Sequence, residues 1–315
     1  MKYNTRKHFN LTVRRPQVLL FGNGFFHEEC KWQDFIVRCS RQNFCKTDFK
    51  DVPYSIMADI ITDVADDRAR HAKYEEQLKH FNECGEVNNK RLAELVKIEF
   101  DAIITTNYTY QIENQIDSRF SRCSSDTWRK KYACCARSKA KKNAGSSLNT
   151  YNRVEKHDIW HMHGEARRKS SIVLTHDEYG RLVSSIIEEL KSVKNKYQFY
   201  NDDVEFKSWI DYFLMGDVYI LGLGMDYSEF DLWWLLTRRM RENAEVGRIV
   251  FYEPYDSNQA QKYMVLAQLG VKYETLGAKL PTDGNPEKIN KIFDKFYNDA
   301  IADISKRVQE KEGLK

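Results

Sequence analysis

The sequence predicts an α/β fold: a parallel sheet with helices on both faces, plus a helical insertion. Three observations carry this. Short continuous apolar runs recur and stop at Gly, Asn or His: Val18-Leu19-Leu20-Phe21-Gly22-Asn23-Gly24, Ile103-Ile104-Thr105-Thr106-Asn107-Tyr108, Trp160-His161-Met162-His163-Gly164 and Tyr219-Ile220-Leu221-Gly222-Leu223-Gly224. Runs of this length and content suit strands buried on both faces. Segments with helical spacing of apolar groups alternate with these runs, the pattern of a parallel sheet wrapped by helices. Finally, residues 54–98 carry helical spacing and no strand signal, and so read as an insertion.

Taken in order, Val18 to Phe21 is the first strand, ended by glycine. Residues 25–40 follow with helix-like spacing of Phe25, Phe26, Trp32, Phe35 and Ile36. In the insertion, Ile56, Ile60, Ile61 and Val64 share one helical face, and Glu75, Glu76, Lys79 and His80 give a polar surface to a further helix. Ala102 to Thr105 is a strand, and Tyr108 to Ile116 starts a helix. A basic stretch ends in the flexible-looking Ala144-Gly145-Ser146-Ser147. Asp158 to His163 and Ile172 to Thr175 are strand candidates, and Asp177 to Leu214 reads as largely helical. Val218 to Leu221 is the cleanest late strand, with an amphipathic helix from Phe230 to Arg241 after it. Arg248 to Tyr252 and Val271 to Leu276 are strands around a helix from Ala260 to Leu269, and residues 287–308 form a closing helix. The expected organisation is a single domain over 1–315. Its core spans 12–40, 98–120, 155–180 and 215–280, with helical insertions at 41–97 and 181–214, a basic segment at 121–147 and a C-terminal helix at 287–308.

At 315 residues the chain buries a sizeable core. No apolar stretch approaches the roughly 18 residues of a membrane span, and the first residues lack the apolar centre of a signal peptide. A cytoplasmic protein with no membrane partner is therefore expected. The seven cysteines, at positions 30, 39, 45, 84, 123, 134 and 135, are odd in number and include no C-x-x-C pair. Free thiols are the expectation, and no metal site. Net charge is +4, yet Ser121 to Asn143 holds eight basic residues and one acidic. That stretch suits either a solvated insertion, the favoured reading, or a contact with nucleic acid or an acidic partner.

Ligands of open α/β sheets bind outside the carboxyl ends of the strands, so the four strand ends are candidates to meet in one cleft. Gly22, Asn23 and Gly24, with Phe25, sit between a strand and a helix. Glycines there either let the backbone approach a phosphate or ribose, or make a tight turn with no ligand. Thr106 and Asn107 end a strand, and Asn107 is either a cleft amide or a cap for the next helix. His163 is either a proton-handling group near a substrate or a hydrogen-bonded structural histidine. His161 lies two residues earlier, and the glycine after His163 selects His163 over it. Gly222 and Gly224 repeat the first glycine pair, with Asp226 and Asp231 following. Glu253 ends the next strand and is either an acceptor for ribose hydroxyls or a surface carboxylate.

In this order, the strand-Gly-x-Gly start, Thr105 to Tyr108, His163-Gly164 and Gly222 to Asp231 resemble the sirtuin-like superfamily. Its closest branch is the bacterial sirtuin-like proteins of anti-phage defence. Ile172 to Thr175 followed by Asp177-Glu178-Tyr179 resembles the same branch, and the Gly-Asn-Gly-Phe start is similar to the AbiH abortive-infection family. The resemblance covers about residues 17–280. It implies a Rossmann-like sheet, NAD as substrate and cleavage of the nicotinamide–ribose bond. Protein-deacylating sirtuins carry a four-cysteine zinc module after the His-Gly motif. No cysteine follows His163 here, so water is the expected acceptor.

By the same resemblance, Asn107 orients the water or the ribose hydroxyls and His163 acts as base. Gly22, Asn23 and Gly24, with Phe25 and Thr106, line the diphosphate and nicotinamide side. Gly222 and Gly224 hold the adenosine half, and Asp231 or Asp226 orders the late loop. The implied role is an abortive-infection effector that depletes NAD. It would be controlled by oligomerisation or by a separate sensor subunit: an ATPase, a nucleotide-processing protein or a short Argonaute. The competing readings are a non-catalytic NAD- or nucleotide-binding regulatory subunit and a nucleic-acid-binding protein led by Arg129, Lys130 and Lys131.

Overall fold

The computed structural model describes residues 7–9, 14–26, 35–36, 52–61, 72, 74, 76–78, 89–135, 147–193, 204–242 and 247–312. Expectations for 27–34, 37–51, 62–71 and 79–88, and for the tail of the basic segment at 136–146, lie outside these. So do four of the seven cysteines, and of the others Cys123 and Cys134 are free thiols.

An eight-stranded sheet organises the chain. In chain order its strands are β2 (Gln17–Phe21), β3 (Ala102–Thr105), β4 (Ala133–Cys135), β5 (Thr150–Val154), β6 (His157–His161), β8 (Asp217–Leu221), β9 (Ile249–Tyr252) and β10 (Val271–Glu274). Their spatial order is β10-β9-β8-β2-β3-β6-β5-β4. The six strands from β10 to β6 run parallel, while β5 and β4 are antiparallel. A separate pair joins β1 (Lys7–Phe9) to β7 (Val204–Phe206).

Each central strand is buried along its length, and alternate side chains enter different cores. Val18, Leu20, Ile104, Val218 and Ile220 join one core; Leu19, Phe21, Ile103, Tyr219 and Leu221 join the other. This period of two explains the unbroken apolar runs, because a strand covered on both faces has no polar side. The first core is covered by α5 (His176–Val193), α6 (Trp209–Met215), α7 (Phe230–Glu242) and α8 (Ala260–Gln268). The second is covered by α2 (Asn89–Lys97), α3 (Gln111–Ile116) and α9 (Pro286–Glu312). A third, smaller core joins α1 (Tyr54–Ile61) of the insertion to Tyr108, Ile172 and Leu174. No helix among the described residues is long and apolar enough to cross a membrane.

Three expectations need correction. Ile172 to Thr175 is not a sheet strand. Its apolar pattern arises because Ile172 and Leu174 pack under the insertion while Val173 faces the main core. Glu178 then caps this segment, its carboxylate accepting from the N–H groups of Leu174 and Thr175 at 2.9 Å each, in the reciprocal pattern that starts α5. The 181–214 region is not helical throughout, since β7 interrupts it and pairs with β1. The basic segment is not simply a solvated insertion. It opens with α4 (Ser125–Lys131), capped by Ser124, and then supplies the edge strand β4. Trp128 of α4 is buried beneath the guanidinium groups of Arg167 and Arg168, while Arg129, Lys130 and Lys131 remain exposed.

The topology locates the cleft. From β2 the chain proceeds to β3 and β6 on one side, then returns through β8 to β9 and β10 on the other. The order of connection therefore reverses between β2 and β8, and the crevice of such a sheet opens at the carboxyl ends of those strands.

Candidate active site

A cavity of about 170 Å³ lies at that reversal. Asn23 and Gly24 reach it from the end of β2, Thr106 to Thr109 from β3, and His163 from just past β6. Gly222 to Asp226 and Glu229 enter from the segment after β8. Tyr54 of α1, Leu78 of the insertion and Tyr179 of α5 complete the wall. Among the described residues the lining holds the carboxylates of Asp226 and Glu229 and the imidazole of His163, and no Lys or Arg.

Asn107 is buried, and among the described residues its side chain makes no hydrogen bond, its Oδ1 atom included. Its structural ties run through the backbone. The N–H donates to Thr105 Oγ1 at 3.1 Å, and the carbonyl accepts from His161 Nδ1 at 2.6 Å. The capping role that the sequence left open is absent, since α3 starts after Tyr110 without a side-chain cap. A buried carbonyl oxygen without a partner costs about 1–3 kcal/mol. A site that binds something polar explains its retention.

His163 and His161 face different surroundings. His163 Nε2 lies 3.0 Å from Asp231 Oδ2 and 3.8 Å from Glu229 Oε2. Burial lowers the pKa of His163, but the adjacent Asp231 carboxylate outweighs this and the net shift is upward. His161 sits below the cavity, bonded to Asn107 through Nδ1 and to Glu113 Oε1 through Nε2 at 2.7 Å. Glu113 also accepts from Asn152, which bridges to Glu165. Burial alone would depress His161, and the Glu113 charge overcomes it and lifts the pKa to about 9. This pKa lies above the ordinary value of about 6.5, so the linked stability is fully present below about pH 6.5 and is lost as pH rises through about 9. A melting temperature that falls over this window in the native protein, with a smaller fall in His161→Asn, is the expected result by calorimetry.

The glycines serve two purposes. A Cβ on Gly22 would lie 2.5 Å from the Gly222 carbonyl, and one on Gly222 would lie 2.6 Å from the Phe25 nitrogen. The turns after β2 and β8 thus pack backbone to backbone, and Gly222 also adopts φ +70°. Gly22 is outside the cavity wall. Gly164 has φ +89° and a Cβ position 2.1 Å from the Ser171 carbonyl, so it admits a neighbouring loop and not a substrate. Gly224 is different: a Cβ there would meet nothing within 4 Å, and the residue is exposed on the cavity wall.

Three other sequence candidates stand back from the cavity. Phe25 is fully buried between Phe21, Phe26 and Tyr297. Asp231 is fully buried and holds His163, with its Oδ1 atom unpaired. Glu253 pairs with Lys262 at 3.2 Å, and that ammonium also donates to the Gly224 carbonyl at 2.7 Å. Asp226 orders the late turn: its carboxylate accepts from Ser228 N and its carbonyl from Trp233 Nε1. Sequence reasoning missed Glu229 and Tyr179 as cavity residues. Glu229 accepts from the Tyr179 hydroxyl at 3.3 Å, and burial raises its pKa to about 7. The available signal was the acidic run Asp226, Glu229, Asp231 directly after the second Gly-x-Gly.

His163, Glu229 and Asp231 place one nitrogen and two oxygens within 4.8 Å of one another, the grouping of metal-ligand type found among the described residues. Within this group His163 Nε2 and Asp231 Oδ2 are hydrogen-bonded to each other.

A family model described as SIR2-like domain matches residues 101–273, more than half of the chain. The matched span runs from β3 to β10 and includes Asn107, His163 and Glu229. Comparison with curated proteins gives no match.

Proposed function

Since the chain belongs to the SIR2-like domain family, whose function is NAD-related, we propose that it is an NAD glycohydrolase releasing nicotinamide and ADP-ribose. The observation that carries this is the unpartnered Asn107 amide in the same cavity wall as His163. Two further features support it. Nicotinamide departs from a cationic pyridinium, and the ribose gains cationic character in the transition state. A wall that carries the carboxylates of Asp226 and Glu229 suits that charge. The cavity volume of about 170 Å³ is also below the roughly 300–1,000 Å³ of typical ligand pockets, and the cleft is open on one side. The diphosphate and adenosine therefore extend past Gly224 toward the mouth.

In this reading the Asn107 amide orients the attacking water and the ribose hydroxyls, and Asn23, Gly24, Thr106 and Gly222 fix the ring and ribose. Asp231 holds the His163 ring from behind and fixes which of its nitrogens faces a ligand. The physiological role we favour is an abortive-infection effector in the cytoplasm, restrained until a sensor subunit or self-assembly activates it. Incubation with NAD, alone and with the products of neighbouring genes, tests the reading. Nicotinamide and ADP-ribose in equal amounts are expected, and binding of NAD without any nicotinamide under every condition would leave a regulatory nucleotide-binding subunit instead.

A further inference from the structure

Hydrolysis at an anomeric carbon needs an acceptor for the proton of the attacking water. We propose that this acceptor is Glu229, with His163 and Asp231 forming the hydrogen-bonded pair that positions it. The inference rests on the glycohydrolase reading and deepens it.

The geometry around His163 directs the choice. Its Nε2 atom points away from solvent at Asp231 Oδ2, 3.0 Å distant, inside a fully buried contact. That contact commits Nε2 to the carboxylate, and the Asp231 charge outweighs burial and shifts the pKa of His163 upward. An imidazole nitrogen already committed to a buried carboxylate is a poor acceptor for a proton from water. Glu229 lies on the cavity wall itself, partly open to it, with Oε2 3.8 Å from His163 Nε2 and 3.3 Å from the Tyr179 hydroxyl. Two contacts to one carboxylate oxygen fix the group and leave Oε1 for the water.

Among the described residues, the groups facing Glu229 are His163 from the loop after β6, Tyr179 from α5, and Asp226 and Asp231 from its own segment. Burial raises the Glu229 pKa most, His163 opposes it, and the two aspartates push it up again, giving about 7. An acceptor with a pKa near the working pH is the most effective kind. The other polar side chains of the wall fit less well. Asp226 is engaged with the Ser228 N–H, the Asn107 amide is not basic, and the Tyr179 phenol is held protonated, chiefly by burial and then by Glu229.

The step balances as follows. The C1′–N bond breaks, and its electron pair neutralises the pyridinium and leaves with nicotinamide. The water oxygen bonds to C1′, its proton passes to Glu229 Oε1, and the proton then leaves to solvent. No oxidant or reductant is required.

The test is the pH dependence of nicotinamide release from about pH 5 to 9, with kcat and KM separated. The native protein is expected to lose kcat on the acid side with a midpoint near 7. Glu229→Gln is expected to reduce kcat by about 100-fold or more, with KM changed less than about threefold, and to abolish the acid limb. Tyr179→Phe removes a donor to the ionised carboxylate and should move the acid limb to higher pH. If Glu229→Gln does not fold, Glu229→Asp serves, with the acid limb kept at a lower rate. Glu229→Gln with the native kcat and the native acid limb overturns the assignment while leaving the glycohydrolase reading intact. A native protein that releases no nicotinamide at any pH, with every activator tried, overturns both.

Discussion

Asn107→Ala is expected to lower nicotinamide release by at least about 100-fold, the scale set by loss of one aimed polar group at a transition state, while changing the melting temperature by only a few degrees. The separation of the two effects follows from how the residue is built in. Its backbone N–H and carbonyl make the bonds to Thr105 and His161 that hold the end of β3, and truncation leaves both in place. Its side chain has no partner among the described residues, so truncation removes no hydrogen bond to them and deletes one unsatisfied buried oxygen. A structural asparagine would behave in the opposite way, with stability lost and turnover per folded molecule preserved. Parallel measurement of kcat and of thermal unfolding decides between them, and an active, well-folded Asn107→Ala protein would remove the observation on which the proposed function stands.

Gly164→Ala should have the largest effect on folding. The added carbon would sit 2.1 Å from the Ser171 carbonyl oxygen and 2.4 Å from its carbon, and the residue holds φ +89°. Positive φ costs a non-glycine residue about 1–3 kcal/mol, and the backbone clash adds to it. A total above about 4 kcal/mol places the variant among the severe single substitutions. Because the Ser171 loop leads into the Val173 N–H that bonds the His163 carbonyl at 2.8 Å, relief of the clash also moves His163. The matched control is Gly224→Ala, which has open space at its Cβ position. It is expected to unfold within about 1 kcal/mol of the native protein, yet to raise the KM for NAD where the extended part of the dinucleotide passes the wall. Urea unfolding of both variants, with KM for the second, checks the pair. Equal stabilities would show that the loop after His163 relaxes freely.

Much of this was readable in the chain itself. The apolar runs at 18–21, 103–105 and 218–221 became parallel central strands because burial on both faces leaves no polar alternation to confuse them. The amphipathic helix after the second Gly-x-Gly formed where its stripe predicts. What escaped were the short strands β1, β4, β5 and β7, which are three to five residues long and lie near one margin of the sheet or in a two-stranded ribbon. Their identity is decided by a partner distant in the chain, and local pattern carries little of that information. The segment 172–175 erred in the other direction: its apolar residues serve two packed layers and have no sheet neighbour.

The site divides along the same line. Sequence alone set the parallel sheet, the strand-end positions of Asn107 and His163, and the glycine turns, because each depends on local composition and period. Only the tertiary structure decided which function each residue serves. Gly22 and Gly222 meet each other, Gly164 makes way for the Ser171 carbonyl, Asp231 turns inward to His163, and Glu229 turns out to the cavity. The reason is physical: a role that depends on what lies within about 3 Å across the chain is a property of packing, and no spacing along the sequence encodes the neighbour.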